Sequence, residues 1–372
     1  MKDLKDKLME NLKNTNKSKV ILITLLIIGV SLFLGILAWI QTKLTLNDSN
    51  CARITKNNPE FPILRSLDVG DSDYKLRDYY IKSAYNCCAS GNFKNDFVNI
   101  CALQNCIKQG VRCLDFEIYS VKNEPVISVS SVDDFNIKET YNSIPFGLAM
   151  DTISNMAFSG SFTPCPGDPL IINLRIMSKN EPIYNKIANI LYNSLEKRII
   201  GNKYSYEFYG ENLGGISIKE FLGKVIIVID KKNDMFEKTE LEEYVNIASN
   251  SIFMKQLKFD DVKFNPDINE LTEFNKKNMS IVIPNLSSEP LNYSTPLALN
   301  YGCQMTALSF QNKDENLKMY NKLFEDDGHA FVLKPENLRY IPVTIPAAKP
   351  PPKAYSYAKR KIDLPFKSDL TI

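Results

Sequence analysis

Short, mainly apolar runs recur along the chain at 111–118, 125–130, 169–176, 223–230, 280–284 and 303–310. Their length and composition fit strands buried on both faces. Stretches with apolar positions three or four apart lie between several of them, at 95–109, 182–197 and 314–324, and these read as amphipathic helices. Strand and helix in alternation predict a parallel sheet wrapped by helices. The folded part runs from 76 to 345, and about 270 residues is the usual size of an eight-stranded β/α barrel.

One run is of a different kind. Val20 to Ile40 is free of charge, and at about 1.5 Å per residue a helix of this length crosses the roughly 30 Å apolar core of a bilayer. Trp39 stands at its end, where an interfacial aromatic is expected. A cleaved signal peptide would have a shorter apolar core followed by a small-residue cleavage site; this run is longer and lacks an Ala-x-Ala site, so a single transmembrane helix is the better reading. Lys2, Lys5, Lys7, Lys13, Lys17 and Lys19 precede it, whereas only Lys43, Arg53 and Lys56 follow closely. Asp3, Asp6 and Glu10 count for little under the positive-inside rule, which predicts a cytosolic N-terminus and a lumenal or exterior barrel.

Charge and cysteine usage refine this picture. Net charge is +2, from 45 basic and 43 acidic residues, so no field favours nucleic acid. All eight cysteines follow the apolar run. Six of them, Cys51, Cys87, Cys88, Cys101, Cys106 and Cys165, suffice for three bridges in an oxidising lumen, with pairing open. No Cys-x-x-Cys pair supports a zinc site. Asn47, Asn278, Asn285 and Asn292 begin glycosylation acceptor triplets on the same side.

Two motif groups carry a resemblance. The first is Asp78-Tyr-Tyr-Ile-Lys-Ser-Ala-Tyr-Asn86 with Gly110-Val-Arg-Cys-Leu-Asp-Phe-Glu117. The second is Asn292-Tyr293, Gly302-Cys-Gln-Met-Thr-Ala-Leu-Ser-Phe-Gln311, Phe331-Val-Leu-Lys-Pro335 and Leu338-Arg339. Together they resemble the X and Y halves of the eukaryotic phosphoinositide-specific phospholipase C barrel. The resemblance implies a TIM-type (β/α)8 barrel of the phospholipase C-like phosphodiesterase kind, preceded by the transmembrane helix. The division it suggests is a Lys-rich cytosolic tail (1–19), the span (20–40), a stalk (41–75), an X-like half (76–232), a connecting region (233–279), a Y-like half (280–345) and a Pro-rich basic tail (346–372). The last, with Pro346 to Pro352 and Lys353, Lys359, Arg360 and Lys361, reads as a disordered extension. Cys113 and Cys303 fall at positions that are buried thiols in the resembled family. The pleckstrin, EF-hand and C2 modules of the eukaryotic enzymes have no counterpart here.

The resemblance also implies a chemistry. In the family, calcium held by an asparagine and three carboxylates activates the inositol 2-hydroxyl, and two histidines stabilise the transition state and protonate the leaving group. This chain has one histidine, His329, which lies away from both catalytic positions and reads as a surface residue. Aligned on the family's patterns, the first histidine becomes Tyr85 and the second Val129. The calcium positions become Asn86, Asp115, Glu117 and Arg175, so a guanidinium replaces the third carboxylate and is expected to pair with both acids. Val228 and Asp230 stand near the expected phosphate-gripping lysines; Lys231, Lys232 and Tyr293 are the substrate-binding candidates, with a packing role explaining Tyr293 equally well. Asp115 and Glu117, two apart on one strand, share a face.

The expected function is that of a membrane-anchored phosphoinositide phospholipase C-like protein without activity, with a binding, scaffolding or structural role. The competing reading is an active phosphatidylinositol phosphodiesterase of altered mechanism. No cofactor is expected on the first reading and calcium on the second. The expected partners are membrane lipids through the helix, phosphoinositide head groups and an unidentified protein.

Overall fold

A computed structural model describes residues 2–68, 70, 73–206, 212–342, 348–349 and 358–372. Eight strands form a parallel path: β1 (Tyr79–Ala84), β2 (Cys113–Val121), β5 (Leu170–Ile176), β6 (Val225–Asp230), β7 (Ile247–Ser249), β8 (Met254–Lys258), β9 (Met279–Ile283) and β10 (Met305–Leu308), in the order β7-β6-β5-β2-β1-β10-β9-β8. The result is a nearly closed barrel. Outside the path, β3 (Glu124–Ile127) pairs with β2 and with β4 (Ile144–Pro145), and β11 (Phe331–Leu333) pairs antiparallel with β1.

Helices α2 (Ile100–Lys108), α3 (Phe146–Met156), α4 (Pro182–Leu195), α5 (Leu241–Tyr244), α6 (Phe259–Lys263), α7 (Ile268–Lys277), α8 (Pro296–Asn300) and α9 (Glu315–Asp327) accompany the strands. Asn99, Asp267 and Asp314 cap α2, α7 and α9 by accepting from first-turn backbone N–H groups. Gly328, at φ +83°, ends α9 in the left-handed conformation a helix C-terminus favours. The strands β2, β5 and β6 are buried along most of their length, which is why they read as predominantly apolar, interrupted in β2 and β5 by Asp115, Glu117, Asn173 and Arg175.

Four local features differ from what the sequence suggests. The stretch read as a stalk is not separate from the helix before it. α1 runs without a break from Lys2 to Asn57, because Asn and Asp are only weakly unfavourable inside a helix and tertiary contacts override them. Asn50 and Ile54 are buried against the barrel, and Asn50 Nδ2 donates to Asp96 Oδ1 at 2.8 Å. The 233–279 region, weakly patterned because its strands are short and β8 (Met-Lys-Gln-Leu-Lys) has no regular apolar period, supplies the barrel strands β7 and β8. His329 is buried: its Nε2 accepts from Arg65 Nε at 3.0 Å and its Nδ1 lies 3.1 Å from Asp327 Oδ2. Of the glycosylation acceptors, Asn292 is buried with its amide donating to Ser309 O and Asn312 O, so a glycan there is incompatible with the fold.

The three expected bridges reduce to one, Cys51–Cys101, joining α1 to α2 across 50 residues. Cys87, Cys88, Cys106 and Cys165 are buried free thiols, as are Cys113 and Cys303. Residues 340–372 form a second compact unit. Its Pro346 to Pro352 run lies mostly outside the described residues, and its end, read as disordered, pairs as a hairpin of β12 (Lys361–Leu364) with β13 (Lys367–Thr371).

Candidate active-site pocket

The strand register builds the site. β2 and β5 run side by side with Asp115 opposite Asn173 and Glu117 opposite Arg175. All four alternate onto one face, the barrel interior, and all are buried. Asn86 follows β1 with φ +46°, a left-handed conformation that asparagine tolerates; this turn lets its backbone N–H donate to Asp115 Oδ2 at 3.1 Å.

Arg175 fills the centre of the group. Its Nε donates to Asp115 Oδ1 at 2.9 Å and its Nη2 to Asp115 Oδ2 at 2.8 Å, a bidentate pair. Its Nη1 donates to Glu117 Oε1 at 2.6 Å, its Nη2 also to Asn86 Oδ1 at 2.7 Å, and the guanidinium carbon lies 4.7 Å from the centre of the Tyr85 ring. Burial alone would lower the Arg175 pKa, but Asp115, Tyr85 and Glu117 outweigh it and keep the group charged. Burial pushes the Glu117 carboxyl up and Arg175 offsets part of that. The other Glu117 oxygen accepts from Tyr119 Oη and Ser130 N, both at 3.0 Å. Burial also drives the Tyr85 hydroxyl above its ordinary range, against the pull of Arg175.

A second polar chain crosses the barrel from this cage. Asn173 Nδ2 donates to Asp115 Oδ1 at 2.8 Å and to Gln256 Oε1 at 3.3 Å. Gln256 Nε2 donates to Asp230 Oδ2 at 2.8 Å, and Asn250 Nδ2 to Asp230 Oδ1 at 2.9 Å. Above these groups opens a cavity of about 130 Å³, at the C-terminal ends of the strands, where barrel enzymes keep their chemistry. Tyr85, Glu117, Arg175 and Asp230 line it, with Lys232, Lys258 and Asp133 among the other lining residues. Asp133 pairs with Lys232 at 2.8 Å and Lys258 at 3.5 Å. Burial works to raise its carboxyl, and the two ammonium groups overcome that and hold it below the usual range.

The substrate-binding candidates therefore separate. Lys232 reaches the cavity. Lys231 pairs instead with Glu237 at 2.5 Å and donates to Tyr206 Oη. Tyr293 is buried, stacks on Phe259 and donates to Val282 O at 2.8 Å, a packing role. Val129 is fully buried. Sequence reasoning missed Asn173, Asn250, Gln256, Lys258 and Asp133. Asn173 carried a signal, two positions before Arg175 on one strand face; the others sit where no clear period exists.

The chain matches the phosphatidylinositol-specific phospholipase C X domain over residues 72–232 and the Y domain over 224–337. It is a member of the phosphatidylinositol-specific phospholipase C family. The Y-domain match begins at 224 and so includes β7 and β8. Among solved structures, PLC21 of L. pealei superposes with a TM-score of 0.59 at 18% identity, over 74% of this chain and 39% of that one. PLC21 of S. officinalis gives 0.58 at 19% identity, over 72% and 38%. These likenesses establish the shared fold, and this phospholipase C-family chain spans about two fifths of the length of either relative.

Family membership implies calcium, and the residues at this mouth do not fit it. Asn86 Oδ1, both Asp115 oxygens and Glu117 Oε1 all accept from Arg175, and a fixed guanidinium in their midst repels a divalent ion. Among the described residues no group of three or more His, Cys, Asp or Glu side chains is disposed to hold a metal.

Proposed function

We propose that this protein is a single-pass, membrane-anchored phospholipase C-family barrel that does not cleave phosphodiesters and serves a binding or scaffolding role at a membrane surface. The observation that carries the proposal is the Arg175 cage. If Asn86, Asp115, Glu117 and Arg175 stand at the family's calcium positions, and Tyr85 and Val129 at its two histidines, every component of the family's reaction is missing or blocked.

The magnitudes support this reading. Each positioned acid or base contributes about 10²–10⁴ in rate, and the metal several kcal/mol more. Val129 has no proton to give, and Tyr85 is buried with its hydroxyl harder to ionise than usual. His329 is occupied by Arg65 and Asp327 beside α9's C-terminus. A volume of about 130 Å³ is also well below the roughly 300–1,000 Å³ of small-ligand pockets.

The anchor rests on α1, whose Lys19–Asn57 portion contains an 18-residue window of mean hydropathy 3.0 with none of it buried. The lysines before Val20 support a cytosolic N-terminus and an exterior or lumenal barrel. The Cys51–Cys101 bridge agrees with an oxidising compartment.

The deciding assay supplies the purified full chain with phosphatidylinositol and its phosphates in mixed micelles, with and without calcium. The expected result is no release of inositol phosphate. Release of a cyclic or acyclic inositol phosphate in either condition would establish the altered-mechanism enzyme instead.

A further inference from the structure

The direction of α1 fixes which end of the barrel faces its membrane. Asn99 Nδ2 donates to Asn47 Oδ1 at 3.0 Å, Cys51 is bonded to Cys101, and Lys108 Nζ donates to Asn58 O at 3.0 Å. Residue numbers on α1 and α2 rise together, so the two run in the same direction. α2 descends from the C-terminal end of β1 toward the start of β2. Followed backward, α1 therefore climbs to the C-terminal rim and leaves the barrel there. The chain after Asn57 confirms the direction. Leu67 N donates to Asp168 Oδ1 at 2.7 Å, just before β5 begins, at the opposite face.

At this rim a hollow of about 520 Å³ lies between the emerging helix and two barrel loops. Trp39, Ile40 and Leu44 form its apolar side, all exposed. Phe97 and Tyr141 form the facing wall, with ring centres 5.3 Å apart. Lys43 Nζ lies 5.4 Å from the Tyr141 ring centre and donates to Asn95 O at a long 3.4 Å. Asp48 is the acidic residue of the lining.

The order of these groups along the helix is informative. Trp39 ends the apolar span, Lys43 stands about 6 Å further out and Asp48 about 7.5 Å beyond that, at about 1.5 Å per residue. Moving away from the bilayer along the helix, the lining is thus apolar at Trp39 and Ile40, cationic at Lys43 with the Tyr141 ring beside it, and anionic at Asp48. A zwitterionic glycerophospholipid presents the complementary order of glycerol and acyl ester, phosphate, and cationic nitrogen.

We propose that this hollow holds the head group of a zwitterionic glycerophospholipid from the leaflet that α1 enters. Lys43 takes the phosphate, as a cation at the interface does. Asp48 takes the cationic nitrogen by charge, while the Tyr141 ring seats the Lys43 ammonium beside the phosphate and Phe97 completes the wall. Trp39, Ile40 and Leu44 rest against the glycerol and upper chains, the depth that interfacial tryptophan prefers. Phosphatidylglycerol carries the same phosphate but ends in neutral glycerol, so it offers Asp48 no cation. The bound lipid wedges the helix against the rim and holds the barrel's C-terminal face, pocket included, toward its own bilayer. This inference rests on the membrane-anchor reading.

Trp39 is the single tryptophan of the chain, so its fluorescence reads the site directly. The full chain is reconstituted in vesicles of phosphatidylcholine or of phosphatidylglycerol, each carrying a small mole fraction of the other lipid with brominated chains. Alkaline extraction tests the anchor separately. The expected result is a chain that resists extraction, with Trp39 quenched several-fold more by brominated phosphatidylcholine than by brominated phosphatidylglycerol at equal mole fraction. Lys43→Met and Tyr141→Ala should each reduce that excess while extraction is unchanged. A chain that resists extraction but is quenched equally by both lipids, or more by the anionic one, overturns the lipid site alone. So does an excess that survives both substitutions. A chain removed by alkali overturns the anchor and this inference with it.

Discussion

Arg175 grips Asp115 with two hydrogen bonds, Nε to Oδ1 at 2.9 Å and Nη2 to Oδ2 at 2.8 Å, with both side chains buried. The third partner, Glu117, sits directly across the strand pair from Arg175. A buried ion pair is weak evidence for stability in itself, because desolvation offsets the Coulombic gain, but breaking it leaves an uncompensated charge. Arg175→Ala is therefore expected to lower unfolding free energy by about 3–5 kcal/mol. Denaturant titration against the parent would show it; a loss below about 1 kcal/mol would mean that the cage adds little.

Rebuilding the cage tests the proposed family positions. Tyr85→His, Val129→His and Arg175→Glu together should give three carboxylates and Asn86 facing one another without a guanidinium. Calcium is then expected to raise the melting temperature of the triple variant, by an amount equivalent to about 2.7 kcal/mol at a hundred times its dissociation constant, and to leave the parent unchanged. A folded variant indifferent to calcium would show that these residues do not occupy the family's calcium site. Restored cleavage is a weaker expectation, since Lys231 points away from the cavity and small misplacements can cost about 10²-fold.

Lys82, on β1, is fully buried with its ammonium 5.9 Å from the Phe324 ring centre and no hydrogen-bond acceptor among the described residues. Burial pulls its pKa down to about 8. The unfolded chain thus binds this proton more tightly, and stability rises with pH from about 8 toward the ordinary lysine value. Lys82→Met should stabilise the protein by about 3 kcal/mol at pH 7, with the gain shrinking as pH rises through that window. Unfolding free energies of both proteins at pH 7 and pH 10 check this, and a gain independent of pH would refute the assignment.

The single disulfide closes a loop of 50 residues between α1 and α2. In the chain-entropy account such a loop contributes about 4 kcal/mol. Cys51→Ser should lower stability on that scale and loosen α1 from the barrel, which limited proteolysis between Asn50 and Glu60 would register. Thiol counting of the denatured, non-reduced chain should return six free groups. Fewer would mean that further bridges form.

Orientation has its own test. In sealed vesicles that preserve the native topology, protease added from the cytosolic side should spare the barrel and remove the N-terminal tail. Digestion of the barrel from that side would reverse the proposed topology and remove the reason for a stable Cys51–Cys101 bridge.

The sequence by itself carried the α/β alternation, the apolar span ending at Trp39 and the placement of Asp115 and Glu117 on one strand face. These follow from periodicity, and the periods of strand and helix are local properties. It also carried Arg175 as the partner of both acids, because aligning the chain on the resembled family's patterns sets that charge where a carboxylate is expected. Other features depended on how distant segments meet. The helix from Lys2 to Asn57 ignores its Asn and Asp because Ile54 and Asn50 are buried against the barrel. Only Cys51 and Cys101 are bonded among the six cysteines considered, although the buried Cys87 thiol also contacts Cys106; which cysteines meet depends on Cα separation in space. Gln256 and Asp230 meet across the barrel interior although the strand holding Gln256 has no apolar period. The direction in which α1 leaves the barrel is likewise absent from any local pattern; it is set by the contacts of Asn47, Cys51 and Asn58 with α2. Local spacing determines which elements form, and the long-range contacts that bury them determine which side chains share a site.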